Sequence, residues 1–427
     1  MRMTSTGRRS MAIAASVGVL ALALAGCSRG GSTGGETSTS SAPSPGITDT
    51  TLTFGITTPL TGGTAGPGNC TADGAIAYFG AVNDAGGVKF GDGKTRKIEI
   101  KTYDDQYVAA NALTNFQQMQ ADGVFAAGLG LGTPTNQAWR EAAIDAQFPQ
   151  VLVMTGDPTF SDQTKSPWQL GLVPTYQMEG EALGKLLTTD GKPHKVAILS
   201  QNDDYGKGYV EGFKDGIAGS SNVTVVQELT YEVPAGGAAA DVSSQITQLA
   251  ASGADVLLNA VSITPTVINE LKQMVSIGWT PNLLLPSNTN SPGGILLQDG
   301  VNAAAFPGIY TTAFSAAAAS PTFATLDGGQ DFLDDIAKYT KQQGVPAFPH
   351  CVWSWIGAQI LEQAFEKMTE PTRESFMTAL RSISGFTPTL MLEGTSIDTT
   401  TDGHPAVNAV VTQKFNGKGY ADADSLG

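Results

Sequence analysis

From Leu52 onward, short apolar runs alternate with stretches whose apolar residues recur every three or four positions. The runs are LTFGITT at Leu52, KIEIKTY at Lys97, GVFAAGL at Gly123, VLVMTG at Val151, KVAILS at Lys195, VTVVQEL at Val223, DVLLNAV at Asp255 and NLLLP at Asn282. Ile98 and Ile100 alternate with charge, as in a strand with one wet face, and the short apolar runs fit buried strands. Between them, Leu113, Phe116 and Met119 follow helical spacing, as do Met178, Ala182, Leu183 and Leu186, and Tyr209, Phe213 and Ile217. In TPTVINELKQMVSIG, Thr264 is expected to cap a helix with Pro265 at its first position. Leu271 and Met274 then face inward, and Gly278 ends it. Such alternation predicts an α/β fold whose parallel sheet is covered on both faces. The number of units fits two doubly wound sheets, with a closed eight-fold barrel as the competing architecture. Doubly wound sheets hold ligands at the carboxyl ends of their strands, so candidate site residues are sought there.

The chain opens on a different pattern. Arg2, Arg8 and Arg9 precede Met11–Ala25, a run without charge that is shorter than the roughly 20 residues a bilayer span needs. A basic start, a short apolar core and small residues after it describe an export signal. The four residues Leu24-Ala25-Gly26-Cys27 resemble the bacterial lipobox, which implies acylation of Cys27 and cleavage just before it. An ordinary secretory signal with an incidental cysteine is the other reading. Residues 28–49, SRGGSTGGETSTSSAPSPGITD, have little to bury and read as a flexible tether. The expected organisation is therefore a signal peptide over 1–26, an acylated cysteine and tether over 27–49, and a folded part after that.

Charge narrows the partners. The chain carries 24 basic and 39 acidic residues, net −15, and loss of the three signal arginines takes this to −18. So acidic a chain without a basic run is not expected to bind nucleic acid or adhere to anionic lipid. Apart from Cys27, the cysteines are Cys70 and Cys351. In an oxidising compartment an isolated pair predicts one disulfide; two buried thiols are the alternative.

Chemistry at the strand ends is sparse. Gly128, Gly130 and Gly132 are spaced G-x-G-x-G after the third strand, which fits the dinucleotide fingerprint in neither spacing nor place. Thr133, Thr135 and the N–H groups of a helix start there suit a carboxylate or another anion. Thr155 and Gly156 end a neighbouring strand, and Tyr205 follows KVAILS. Asp104-Asp105 are read as structural. His194, His350 and His404 each stand alone, and neither G-x-S-x-G nor H-E-x-x-H occurs. Catalysis is therefore not expected, with a secreted hydrolase as the remote alternative, and neither a metal nor a cofactor is implied. The pair His350-Cys351 reads as a helix start, with a surface histidine beside a disulfide.

The segments ITTPLTGGTAGPG, AVNDAGGV, IEIKTYDDQ, DGVFAAGLG, VLVMTGDP and KVAILSQNDDYGKGY, in this order, resemble the type I periplasmic solute-binding proteins. Within that group the chain is similar to the branched-chain amino-acid receptors of ABC importers, from about Leu52 to Tyr420. The resemblance implies two α/β lobes joined by three crossovers, near Gly171–Thr175, Thr311–Phe314 and Thr389–Gly394, closing like a clamshell. Lobe 1 would comprise 50–173 plus 312–390, and lobe 2 174–311 plus 391–427. It further implies that Thr133, Thr135, the Met154 backbone and Thr155 hold a ligand carboxylate, and that Tyr205 covers it. One departure is notable. Where the family's amino-acid receptors carry an acid for the ligand ammonium, the loop LLPSNTN offers Ser287 and Asn288, and Ser262 stands where an aromatic residue is common. Either the register slips there, or the ligand is an organic acid, an amide or another small polar metabolite without an ammonium. The implied protein is a monomer anchored outside the bacterial cell membrane through Cys27, with an ABC permease as partner. A ligand-sensing domain for a receptor is the alternative.

Overall fold

The computed structural model describes residues 42–426. The expected signal peptide, Cys27 and most of the expected tether lie outside the described residues. No helix among the described residues is long and apolar enough to cross a membrane.

The chain first runs β1 (Thr51–Thr58), α1 (Ala65–Asp84), β2 (Val88–Lys89), β3 (Thr95–Asp104), α2 (Ala109–Ala121), β4 (Ala126–Gly128), α3 (Thr133–Asp145), β5 (Gln150–Val153) and β6 (Gln169–Gly171). These strands form a six-stranded sheet in the order β2-β3-β1-β4-β5-β6, parallel except for the short β2. The chain then continues through α4 (Tyr176–Thr188), β7 (His194–Gln201), α5 (Asp204–Gly216), β8 (Val223–Tyr231), α6 (Ser243–Ala251), β9 (Val256–Ala260), α7 (Thr264–Ser276), β10 (Asn282–Leu285) and β11 (Ile309–Ala313). It returns to the first lobe for α8 (Gly329–Tyr339), α9 (His350–Lys367) and α10 (Arg373–Leu380). After the small pair β12 (Ser384–Phe386) and β13 (Ile397–Asp398), β14 (Val411–Phe415) and β15 (Tyr420–Asp422) close the second sheet. That sheet has seven strands in the order β15-β14-β11-β10-β9-β7-β8, with β14 and β15 antiparallel. Two open sheets, each with free edges, exclude the single closed barrel.

Local signals explain several starts. Thr175 accepts from the Met178 N–H at 3.2 Å and Asp203 from the Gly206 N–H at 3.1 Å, capping α4 and α5. At α7 the cap differs from expectation. Ile263 is the N-cap, and Thr264 and Pro265 are already helical. Proline tolerates either of the first positions because no N–H is needed there.

The third passage between lobes also lies later than residues 389–394. Met391 bridges to Ser315, and the Ala406 and Val407 N–H groups donate to the carbonyls of Gly171 and Leu172. Ile397, Ala406 and Val407 are buried in the first lobe's apolar core. Residues 391–407 therefore stay with the first lobe, and the chain enters the second only at β14.

Cys70 and Cys351 are joined by a disulfide, Cα to Cα 4.2 Å, which ties α1 to α9 beneath the interlobe cleft. Around it every residue of α9 from His350 to Leu361 is buried, and the polar residues Glu362, Gln363, Glu366 and Lys367 come only in its last turns.

Candidate functional site

In each sheet the strand order reverses beside the first strand of that lobe: β1 lies between β3 and β4, and β7 between β8 and β9. Helices leave opposite faces at such a point and open a crevice at the strands' carboxyl ends. The two crevices face each other and form one cleft. Thr133 and Met154 line it from the first lobe, and Tyr205, Ser262, Ser287 and Asn288 from the second. Thr135 and Thr155 are buried behind this wall. Thr135 Oγ donates back to the Leu131 carbonyl at 2.7 Å, a bond internal to the α3 start. Gly132, at φ 103°, turns the chain into that helix, and a Cβ there would come within 2.5 Å of the Tyr107 ring.

Thr155 acts through its neighbours. Its hydroxyl lies 3.0 Å from that of Thr133 and 3.0 Å from the Tyr176 phenol, and Thr133 and Tyr176 are 2.8 Å apart. Three hydroxyls in a triangle need only two internal donors to stay connected. The third proton, or a lone pair, is free to turn to the cleft. Tyr176, Tyr205 and Tyr209 pack with ring centroids 4.8 to 5.1 Å apart. Burial pushes all three phenol pKa values up, so they remain protonated donors.

An acid does reach the LLPSNTN loop, from another element. Glu179, one turn after Tyr176 on α4, accepts from the Ser287 N–H and the Ser287 hydroxyl, each at 3.0 Å. The Thr312 and Tyr209 hydroxyls donate to the same carboxylate. Burial raises its pKa, and those donors work against the shift. Its roughly four acceptor positions are thus occupied by protein donors. Ser287 is committed to Glu179, while Asn288 accepts from the Tyr205 phenol at 3.0 Å.

Two further residues enter from the first lobe. Gln106 and Tyr107 have φ of 55° and 57°, a left-handed pair that projects Tyr107 into the cleft. Asp104 and Asp105 hold that turn, accepting from the N–H groups of Gln106 at 2.9 Å and Tyr107 at 2.8 Å. Their reading as structural fits these bonds. His350 opens α9 and lines the cleft at 2% exposure; it is not the surface histidine expected. Burial pushes its pKa down to about 3, so the imidazole is neutral.

Contacts across the mouth hold the lobes together. A Cβ on Gly63 would come within 2.2 Å of the Gly237 carbonyl oxygen. Gln137 donates to Asp157 at 2.7 Å and to Asp204 of the opposite lobe at 3.1 Å. Among the described residues, no lysine or arginine lines the cleft, and no cluster of histidine, cysteine or acid could hold a metal.

Tyr107, Tyr176, Glu179, Tyr209 and His350 escaped the sequence reading. Faint signals exist: Tyr176 and Glu179 are spaced i, i+3 at a capped helix start, and Tyr209 follows Tyr205 by one turn.

The model of the periplasmic binding protein family matches residues 51–419. This chain belongs to that family, a family of solute-binding proteins with the type I clamshell fold and not of enzymes. It is 27% identical over 216 residues to the Leu/Ile/Val-binding protein homolog 3 of Brucella melitensis, a match covering 48% of this chain and about half, 53%, of that relative. Among solved structures, a fatty acid ABC transporter substrate-binding protein from Thermomonospora curvata has TM-score 0.75 at 22% identity, covering 89% of this chain and 94% of that one. An R. palustris solute-binding protein in complex with 4-hydroxybenzoate has TM-score 0.70 at 18% identity, with coverage of 87% and 96%.

Proposed function

We propose that this chain is a lipid-anchored, extracytoplasmic substrate-binding protein that captures a small carboxylate-bearing metabolite by lobe closure and hands it to an ABC permease. The observation that carries the ligand class is the cleft's polar inventory. Hydroxyls, phenols and the α3 start face it, and the Glu179 carboxylate is saturated by protein donors. A ligand carboxylate fits against Thr133 and the N–H groups of α3, where the helix dipole favours an anion. An ammonium meets no unoccupied anionic partner, and burying one unpaired is costly. Tyrosines and Trp353 suit an apolar or aromatic body. Ligands named for solved relatives, a fatty acid, 4-hydroxybenzoate and valine, all carry a carboxylate, and the first two lack an ammonium.

In this reading the lobes open and close, and a ligand touching both shifts the population towards closed. The closed pair of lobes docks on the permease, and the anchor at Cys27 keeps the monomer near it. More than one acyl chain makes such an anchor stable. Cys27→Ala should release the protein from the membrane fraction; continued attachment would remove the anchor from the proposal.

A thermal-shift panel tests the ligand class: benzoate, 4-hydroxybenzoate, hexanoate, benzamide, leucine, isoleucine, valine, putrescine and glucose. A ligand at 1,000 times its Kd adds about 4 kcal/mol, several degrees for a chain of this size. Shifts with the acids or the amide support the reading. Shifts with leucine, isoleucine or valine alone would overturn the ligand class and leave the receptor.

A further inference from the structure

His350 is buried in the cleft wall with neither Nδ1 nor Nε2 hydrogen-bonded to any described residue. Its position is not loose. Its ring centroid lies 4.6 Å from that of Trp353, whose Nε1 donates to Ser315 Oγ at 3.1 Å. The next residue, Cys351, is held to α1 by the disulfide. A neutral imidazole carries one N–H donor and one bare-nitrogen acceptor, and leaving such groups buried and unmet costs about 1–3 kcal/mol each. Folded proteins seldom keep that cost without a use for the atoms.

The same condition recurs on another wall of the cleft. Thr64 Oγ, at the start of α1, is also buried and unpartnered, while Ser262 Oγ, after β9 in the second lobe, is buried in the cleft wall with the Tyr107 phenol as its neighbour. Both lobes therefore contribute uncharged donor–acceptor groups to one space, and those of His350 and Thr64 are unmet. A second ligand carboxylate would find no cation there, since no lysine or arginine lines the cleft among the described residues. An ammonium would find no carboxylate with an open position. What satisfies an imidazole N–H, an imidazole nitrogen and a serine hydroxyl together is a group that donates and accepts without charge.

We infer that His350, with Ser262 opposite, is a specificity-determining binding residue that selects a hydroxyl on the ligand, making the preferred ligand a hydroxylated monocarboxylate. This rests on the carboxylate reading of the cleft given above. His350 supplies its N–H or its ring nitrogen, whichever the hydroxyl's orientation requires, and Ser262 Oγ completes the hydroxyl's second hydrogen bond. A site built to hydrogen-bond a hydroxyl discriminates strongly against the analogue lacking it, because its own polar atoms are then left unmet.

The test is calorimetric titration of the full protein with two matched pairs, benzoate against 4-hydroxybenzoate and hexanoate against 6-hydroxyhexanoate. In at least one pair the hydroxy acid is expected to bind about tenfold or more tightly, one good hydrogen bond's worth. His350→Phe should cut that preference below about threefold. His350→Gln, which keeps a donor and an acceptor, should retain most of it. Ser262→Ala, a small change outside α9, should lower the preference severalfold and serves if the phenylalanine variant fails to fold. Equal binding within both pairs, or a preference that survives in both His350→Phe and Ser262→Ala, overturns the inference and leaves the carboxylate reading standing. Binding of none of the four acids overturns the carboxylate reading and this inference with it.

Discussion

Glu179 Oε1 lies 3.0 Å from Ser287 Oγ, and the second oxygen of the same carboxylate accepts from the Ser287 N–H. An acid from the first helix after a crossover thus secures a loop that is 108 residues away in sequence and on another strand's end. Glu179→Ala would strand the Ser287 N–H and three hydroxyls in a buried site, so it should cost about 3–5 kcal/mol in denaturant unfolding, against about 1 kcal/mol for Ser287→Ala. Equal small losses for both would show that the carboxylate is not the organising group.

Glu270 is fully buried on α7, with Oε1 accepting from Asn259 and Oε2 without a partner. Burial pushes its pKa up to about 8 from an ordinary 4.5. Its folded-state pKa is raised, so its contribution to stability is full below pH 4.5 and is lost as pH rises to about 8, near 1.4 kcal/mol per pH unit. Glu270→Gln should therefore gain stability over the native chain progressively from pH 5 to 8, levelling off above. Melting curves across that range check it; a difference that does not change with pH would mean Glu270 titrates normally.

The Cys70–Cys351 disulfide has a sequence separation of 281 and closes a loop that, in the chain-entropy model, is worth about 5 kcal/mol. It also anchors the helix that begins with His350. The Cys70→Ala, Cys351→Ala double variant should unfold several degrees lower than the native chain, and reductant should lower the native midpoint but not the variant's. Matching midpoints in oxidising buffer would remove the bond from the stability account.

Gly63 meets Gly237 only across the cleft mouth. Gly63→Val should hinder closure while leaving each lobe intact, weakening ligand binding by about tenfold or more because only the closed population binds fully. Scattering measurements should show a larger radius with saturating ligand than the native chain has. Native affinity in this variant would mean that the contact does not accompany binding.

Much of this molecule is legible from pattern alone. The strand runs at Leu52, Lys97, Gly123, Val151, Lys195, Val223, Asp255 and Asn282 all coincide with strands: the central ones are buried and read as apolar runs, whereas β3 and β8 keep one wet face and alternate. Shorter or mixed strands passed unnoticed: QLG at Gln169, IYTTA at Ile309 and the antiparallel pair at Val411 and Tyr420. Their apolar content is too low or too brief for periodicity to register. Within the cleft, Thr133, Met154, Tyr205, Ser262, Ser287 and Asn288 were reachable because each follows directly on a strand end. Tyr107 was not, since it owes its position to a left-handed turn, and His350 was not, since its burial comes from the packing of the whole first half of α9.

By itself, then, the sequence determined the two-sheet architecture and the strand ends that face the cleft. Period, caps and turns are local properties that neighbouring residues set between themselves. The tertiary structure alone decided that Glu179 is hydrogen-bonded to Ser287, that His350 is buried and unpaired in the cleft, and that Thr155 is hydrogen-bonded to Thr133. Each of these depends on which helix packs over which crevice. That is settled by the burial of whole faces against one another, a sum over distant residues that no single stretch of chain records.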